Sequence, residues 1–206
     1  MQQVFGNVWA MNVPDLTILV IDEDALRASI IEAGLHAAGH SNVTIIREVL
    51  GVARQIERLM PDVIVISLEN PNRDMLESMF QLSRSVKRPI AMFVDRSEQG
   101  MIAAAVEAGV SAYVVDGLRQ ERVKPILDMA ISRFNAYSRM ARELEEARSE
   151  LENRKLVERA KGILMKSKGI GEDDAYKLLR STAMKQNRKI AEIAQSLVLA
   201  AGLLEN

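Results

Sequence analysis

The sequence predicts an α/β protein: a doubly wound, five-stranded parallel sheet, followed by a long helix and a small all-α three-helix module. Three observations predict it. Five short runs rich in Val and Ile alternate with helical stretches between Thr17 and Val115. The runs are almost continuously apolar, as strands covered on both faces of a parallel sheet are. From Val123 to Lys168 no strong breaker occurs except Pro125, a span far beyond the ordinary globular helix.

The elements follow in order. Residues 1–13 have no clear period and read as an N-terminal extension, punctuated by Pro14. The expected strands are Thr17–Ile21, Val43–Arg47, Val63–Ser67, Ile90–Val94 and Ala112–Val115. The expected helices between them are Ala25–Ala38, Val49–Leu59, Arg73–Val86 and Glu98–Ala108, with boundaries at Gly39, Pro61, Pro89 and Gly109. Strands alternating with helices imply right-handed crossovers and a parallel sheet over residues 14–120.

The long helix reads as a coiled coil over residues 121–154. One heptad series holds Leu127, Phe134 and Ala141; the other holds Ala130, Tyr137, Leu144 and Leu151, with charged residues between them. A homodimer is the expectation. A single helix docking one stripe on its own domain is the alternative. Gly169 suits a left-handed cap, and Glu172, Asp173 and Asp174 suit the first turn of the next helix. That helix is expected to bury Ala175, Leu178, Leu179 and Thr182. The last, Lys189–Leu199, turns Ile190, Ile193, Ala194 and Leu197 inward. Residues 155–206 form the expected C-terminal module.

Composition narrows the function. The 206 residues contain no cysteine, which excludes disulfides, thiolate metal sites and a cysteine nucleophile. The two histidines, His36 and His40, share a helical spacing but have no third ligand in view, so no metal or other cofactor is expected. No apolar run reaches the roughly 18 residues that a membrane span needs, and no basic-then-apolar leader opens the chain. A cytoplasmic location without membrane attachment is therefore expected. The net charge of −1 conceals an asymmetry. Pro14–Leu118 carries nine Lys or Arg against fifteen Asp or Glu, whereas Lys155 to the end carries ten against six. A basic tail on an acidic body points to a polyanionic partner for the tail.

The first strand ends in Ile21-Asp22-Glu23-Asp24, and the third in Ile66-Ser67-Leu68-Glu69-Asn70-Pro71. Ligands of open α/β sheets bind at the carboxyl ends of the strands, where carboxylates can hold Mg²⁺. Helix capping by Asp22 and Asp24 is the plainer reading of the acids. Over roughly residues 14–120 these features resemble the receiver domain of two-component response regulators, which implies a flavodoxin-like sheet. In that family an aspartate four residues before the proline accepts a phosphoryl group; here Ser67 stands there. The family's Thr or Ser corresponds to Val94 and its Lys to Asp116, so only the acids Asp22 and Glu23 match. A serine hydroxyl with no activating base is no equivalent acceptor, and Asp116 repels an incoming phosphate. The resemblance therefore implies a pseudo-receiver. Glu69 as a metal ligand, or Asp74 or Asp95 as a displaced acceptor, are the remaining routes to phosphorylation.

In the tail, Ala160-Lys161-Gly162-Ile163-Leu164-Met165, Ala183-Met184-Lys185 and Asn187-Arg188-Lys189 occur in that order. From about Leu151 to Leu199 this resembles the ANTAR domain of transcription antitermination regulators. Together with the receiver-like part, it is most similar to NasT-type nitrate-assimilation regulators. That resemblance implies control by a nitrate- or nitrite-sensing partner protein. Arg154, Lys161 and Lys168 are seven apart and form one basic stripe able to follow a phosphate backbone. Arg180, Ala183 and Met184 suit a platform for unstacked bases of an RNA loop. Ala160, Met165, Lys185, Arg188 and Lys189 complete the expected RNA-binding set. The expected function is binding without chemistry: an antiterminator holding leader-RNA hairpins. The competing expectations are a DNA-binding response regulator, an enzyme using the acidic pocket and a protein-binding adaptor. The sequence lacks the base and the Gly-rich phosphate loop of an enzyme.

Overall fold

The computed structural model describes residues 15–48, 51–69 and 71–204. The expected extension, residues 1–13, lies outside the described residues, as do Val49, Leu50 and Asn70. Five strands are present: β1 (Ile18–Ile21), β2 (Val43–Ile46), β3 (Val63–Leu68), β4 (Ile90–Val94) and β5 (Ala112–Val115). All neighbouring pairs are parallel, in the order β2-β1-β3-β4-β5. The crossover helices are α1 (Ala25–Ala37), α2 (Val52–Leu59), α3 (Arg73–Ser85) and α4 (Met101–Glu107).

Local chemistry sets the helix starts. Asp24 caps α1 by accepting from the Arg27 N–H at 2.8 Å, and Asn72 caps α3 by accepting from Met75 at 2.8 Å. The fourth helix starts at Met101 rather than Glu98, because Gly100 adopts the left-handed conformation (φ +89°).

Alternate strand residues feed two cores. Leu19, Ile64, Ile66 and Met92 face Ile56, Leu76 and Phe80 of α2 and α3. Val20, Val65 and Phe93 face Ile31 and Leu35 of α1 and the opening turns of α5 (Gln120–Lys168). At Gly34 on α1, a Cβ would sit 2.7 Å from Val123 Cβ and 2.8 Å from the Gln120 carbonyl. The absence of a side chain is what lets α1 meet α5.

The packing of α5 corrects the heptad reading at two positions. Leu127 and Ala130 are 1% and 0% exposed, sealed against the sheet, and are not available as a seam between subunits. Amphipathic spacing alone does not say which surface a stripe covers. The exposed apolar stripe starts later, at Tyr137, and continues through Met140, Leu144 and Leu151.

The described chain divides into two compact units between Tyr137 and Ser138. In the second, the last turns of α5 pack with α6 (Glu172–Lys185) and α7 (Ile190–Leu204) around Ala160, Leu164, Ala175, Leu179, Ile193 and Ala194. Gly169 ends α5 with φ +65°, and its N–H bonds the Met165 carbonyl at 3.0 Å. Asn187 turns the chain after α6 with φ +50°. Among the described residues, no helix is long and apolar enough to cross a membrane.

Candidate functional site

At the carboxyl ends of β1, β3 and β4, one side chain organises the pocket, and it is one that the sequence reading left out. Arg27, on the first turn of α1, donates from Nε and Nη2 to the Ser67 hydroxyl at 3.1 and 2.7 Å. Its Nη1 donates to Asp95 Oδ2 in a short ion pair, and its Nε lies 3.6 Å from Asp22 Oδ2. The guanidinium thus sits on the hydroxyl of Ser67, the residue expected at the acceptor position. Arg27 stands three residues beyond the acidic run, so the signal was present, but nothing local aims it at Ser67.

Asp22 is buried, and its Oδ1 accepts from the Asp24 N–H at 2.9 Å while Oδ2 makes no hydrogen bond. Burial pushes its pKa above the usual carboxylate range; the Ser67 hydroxyl, the Asp24 N–H and the Arg27 charge offset this only in part. Glu23 points to solvent. Val94 is buried at the end of β4 and carries no polar group. Asp116 follows β5 with φ +49°, exposed, its N–H bonded to the Val94 carbonyl at 2.9 Å. Among the described residues, no group of three or more carboxylates or histidines is placed to hold a metal ion. His36 lies on the surface 3.8 Å from Glu32, whereas His40 is buried.

In the second unit, the expected RNA-contacting residues separate into three groups. Ala160 (0% exposed) and Ala183 (5%) belong to the core, which removes them from any surface an RNA can touch. The inward residues of α6 are Ala175, Leu179 and Ala183, four apart, so Leu178 is rotated outward to 38% exposure rather than buried as expected. Lys161 is also largely buried, with Nζ 2.7 Å from Glu158 and 2.6 Å from Glu172. It ties α5 to α6, and its charge is spent inside the module. These hydrogen bonds raise the Lys161 pKa and lower that of Glu172. A carboxylate with a lowered pKa contributes stability above its unfolded value, lost as pH falls through the folded one. Lys161→Ala is therefore expected to lower the module's thermal midpoint at neutral pH and to flatten its acid dependence, while leaving the salt slope of nucleic-acid binding unchanged. Calorimetry with a salt series of binding checks this.

The second group is exposed but engaged: Arg154 with Glu150 at 3.4 Å, and Arg188 with Glu192 at 3.1 Å. Exposed pairs of this kind are weak and exchange readily. The third group is exposed and makes no ion pair among the described residues: Lys168, Arg180, Lys185 and Lys189, together with Arg159 and Lys166, which the heptad-spaced stripe missed. Lys177, Arg180 and Met184 share a face of α6, and Met184 is 74% exposed. Met165 is also partly exposed. Free cations beside an exposed, flexible apolar side chain can bind phosphates and cover a base.

Residues 145–198 match the family model of the ANTAR domain. The chain carries an ANTAR domain at its C-terminus. The ANTAR match starts on α5 ahead of the core residues Ala160 and Leu164, so the long helix supplies part of the domain. Over 183 residues the chain is 27% identical to the transcriptional regulatory protein PdtaR of Mycobacterium tuberculosis, covering 89% of both chains. Over 80 residues it is 32% identical to the nitrate regulatory protein of Klebsiella oxytoca, covering 39% of this chain and 20% of that one. Ahead of the ANTAR domain, the sheet has the receiver fold. It is similar to the signal receiver domain of a modulated diguanylate cyclase from Desulfovibrio desulfuricans G20, with TM-score 0.50 and 16% identity over 58% of this chain and 96% of that one. Both relatives carry names of regulatory proteins.

Proposed function

We propose that this protein is an RNA-binding transcription antiterminator whose ANTAR domain grips leader-RNA hairpin loops. The observation that carries the reading is the ANTAR domain's set of exposed, unpaired cations, Arg180 and Lys185 foremost, beside Met184. Holding one hairpin keeps a competing terminator from forming, so polymerase reads on. The exposed stripe Tyr137, Met140, Leu144 and Leu151 supports a homodimer through α5. Two linked ANTAR domains then gain affinity for paired hairpins through effective concentration.

We further infer that the receiver is a pseudo-receiver, controlled by a partner protein that senses a ligand, with nitrate or nitrite as the signal. Two features of the pocket support this. Ser67 offers no carboxylate, and Arg27 engages its hydroxyl and ion-pairs with Asp22 and Asp95, acids that otherwise could hold a divalent cation. Incubation with radiolabelled acetyl phosphate and Mg²⁺ is expected to leave the protein unlabelled. Binding to a two-hairpin RNA is expected to be the same before and after that treatment, and at least tenfold tighter than to duplex DNA of equal length. Stoichiometric labelling, or equal affinity for DNA, sinks the reading in favour of a DNA-binding response regulator.

A further inference from the structure

We propose that the cleft between the carboxyl-terminal ends of α2 and α3 is a docking groove for an acidic segment of a partner protein, anchored by an apolar side chain. The proposal rests on the reading above, in which a protein partner controls the receiver, and gives that partner a place to bind. The cleft has a volume of about 360 Å³, within the range of sites that bury a ligand side chain. Its apolar lining comes from Ala53, Ile56, Met60, Pro61 and Val86, and its charged lining from two cations, Lys87 and Arg88, against one acid, Glu57. It lies where β3 and β4 begin, at the opposite end of the sheet from Ser67 and Asp95.

Two independent features point to an occupant. Met60 ends α2 in the left-handed conformation, φ +43° and ψ +54°, and is 69% exposed. A glycine or asparagine takes that position at lower cost, so burial in this chain does not explain a methionine there. A flexible thioether beside a cleft suits an adaptable contact with a second molecule. The other feature is charge. Of the nine Lys and Arg between Pro14 and Leu118, five are Arg54, Arg58, Arg84, Lys87 and Arg88. None of the five pairs with a carboxylate among the described residues, although the surrounding domain is acidic. Arg58 and Arg84 lie in last helical turns, where they oppose the helix dipole. Lys87 and Arg88 lie beyond α3 and serve no such role. At the slot itself Lys87 and Arg88 outnumber Glu57, an excess that complements carboxylates flanking an apolar residue; a phosphate backbone has nothing to place in the slot.

The test uses the full-length protein and a fluorescein-labelled helical peptide with two leucines four residues apart, flanked by glutamates. Fluorescence anisotropy is expected to show binding that weakens at least tenfold in the Lys87→Glu, Arg88→Glu double variant. The same loss is expected when the peptide's leucines become serine, or when Ala53→Trp fills the slot. Binding of hairpin RNA stays unchanged in all variants, and a thermal melt of each variant reports that the receiver is folded. Absence of peptide binding, or equal binding by the leucine-free peptide, overturns the groove. So does a tenfold loss of RNA binding on charge reversal alone, which assigns these cations to nucleic acid and leaves the antiterminator reading intact. Peptide binding by a protein that binds no RNA supports the groove and removes that reading.

Discussion

Replacing both Arg180 and Lys185 by glutamate is expected to lower affinity for a two-hairpin leader RNA by about 100-fold. Each cation is exposed and free of carboxylates among the described residues, so neither is held back by an internal partner. Loss of two charge-assisted contacts at about 1.4 kcal/mol each gives that factor. The logarithmic salt slope also shrinks, by about 0.7 for each lost phosphate contact on single-stranded RNA. An anisotropy titration at four salt concentrations measures both quantities. Arg154→Ala is the control and costs no more than about threefold, since an RNA contact there first gives up the pair with Glu150, worth up to about 1 kcal/mol. If the double reversal leaves affinity and slope unaltered, α6 does not face the RNA.

The second large effect is on stability. Arg27→Met removes the cation that holds Ser67, Asp95 and Asp22 together. Asp22 then keeps a buried carboxylate without a counter-charge, and breaking a buried pair in this way costs about 3–5 kcal/mol. Asp95 is partly exposed and rehydrates, so the lower end of that range applies. For a domain of this size the thermal midpoint drops by more than about 10 °C. Because burial raises the Asp22 pKa, its ionisation opposes folding. That penalty is absent below the unfolded pKa and is complete once pH has risen past the folded one. The loss in Arg27→Met is therefore smaller in mild acid than at neutrality. Adding Asp22→Asn restores most of it, since an amide needs no cation. Denaturant midpoints for the single and double variants across the carboxylate range decide this. Equal destabilisation at every pH shows that Arg27 acts through packing rather than charge.

Much of the fold is legible in the residues. Apolar runs of strand length, Gly39, Pro61, Pro89 and Gly109 as punctuation and the cap Asp24 act over a few neighbouring positions. Contiguous sequence records such effects directly. The candidate site was only partly legible. Arg180, Lys185, Lys189 and Lys168, expected in that site because clustered charge is a local property, are exposed. Ala160, Ala183 and Lys161 were assigned to the RNA face, and the structure buries them. Each residue along a helix turns the side chain by about 100°, so a small error in where the core lies exchanges inside for outside. The same error hid Arg159 and Lys166 and placed Leu127 and Ala130 on a dimer seam.

By itself the sequence determined the alternation of strands and helices, the long uninterrupted helix, a serine, Ser67, four residues before Pro71, and the acidic and basic parts of the chain. Each depends on residue types at fixed, short spacings. Only the tertiary structure decided what surrounds Ser67. Arg27 reaches Ser67 across 40 residues and Asp95 across 68, and that meeting exists only once β1, β3 and β4 lie side by side. The structure likewise decided that Lys161 is an internal tie, because Glu158 and Glu172 close on it from two helices. A side chain's partners are set by which elements become neighbours, and strand order and helix rotation fix that over distances no local pattern spans.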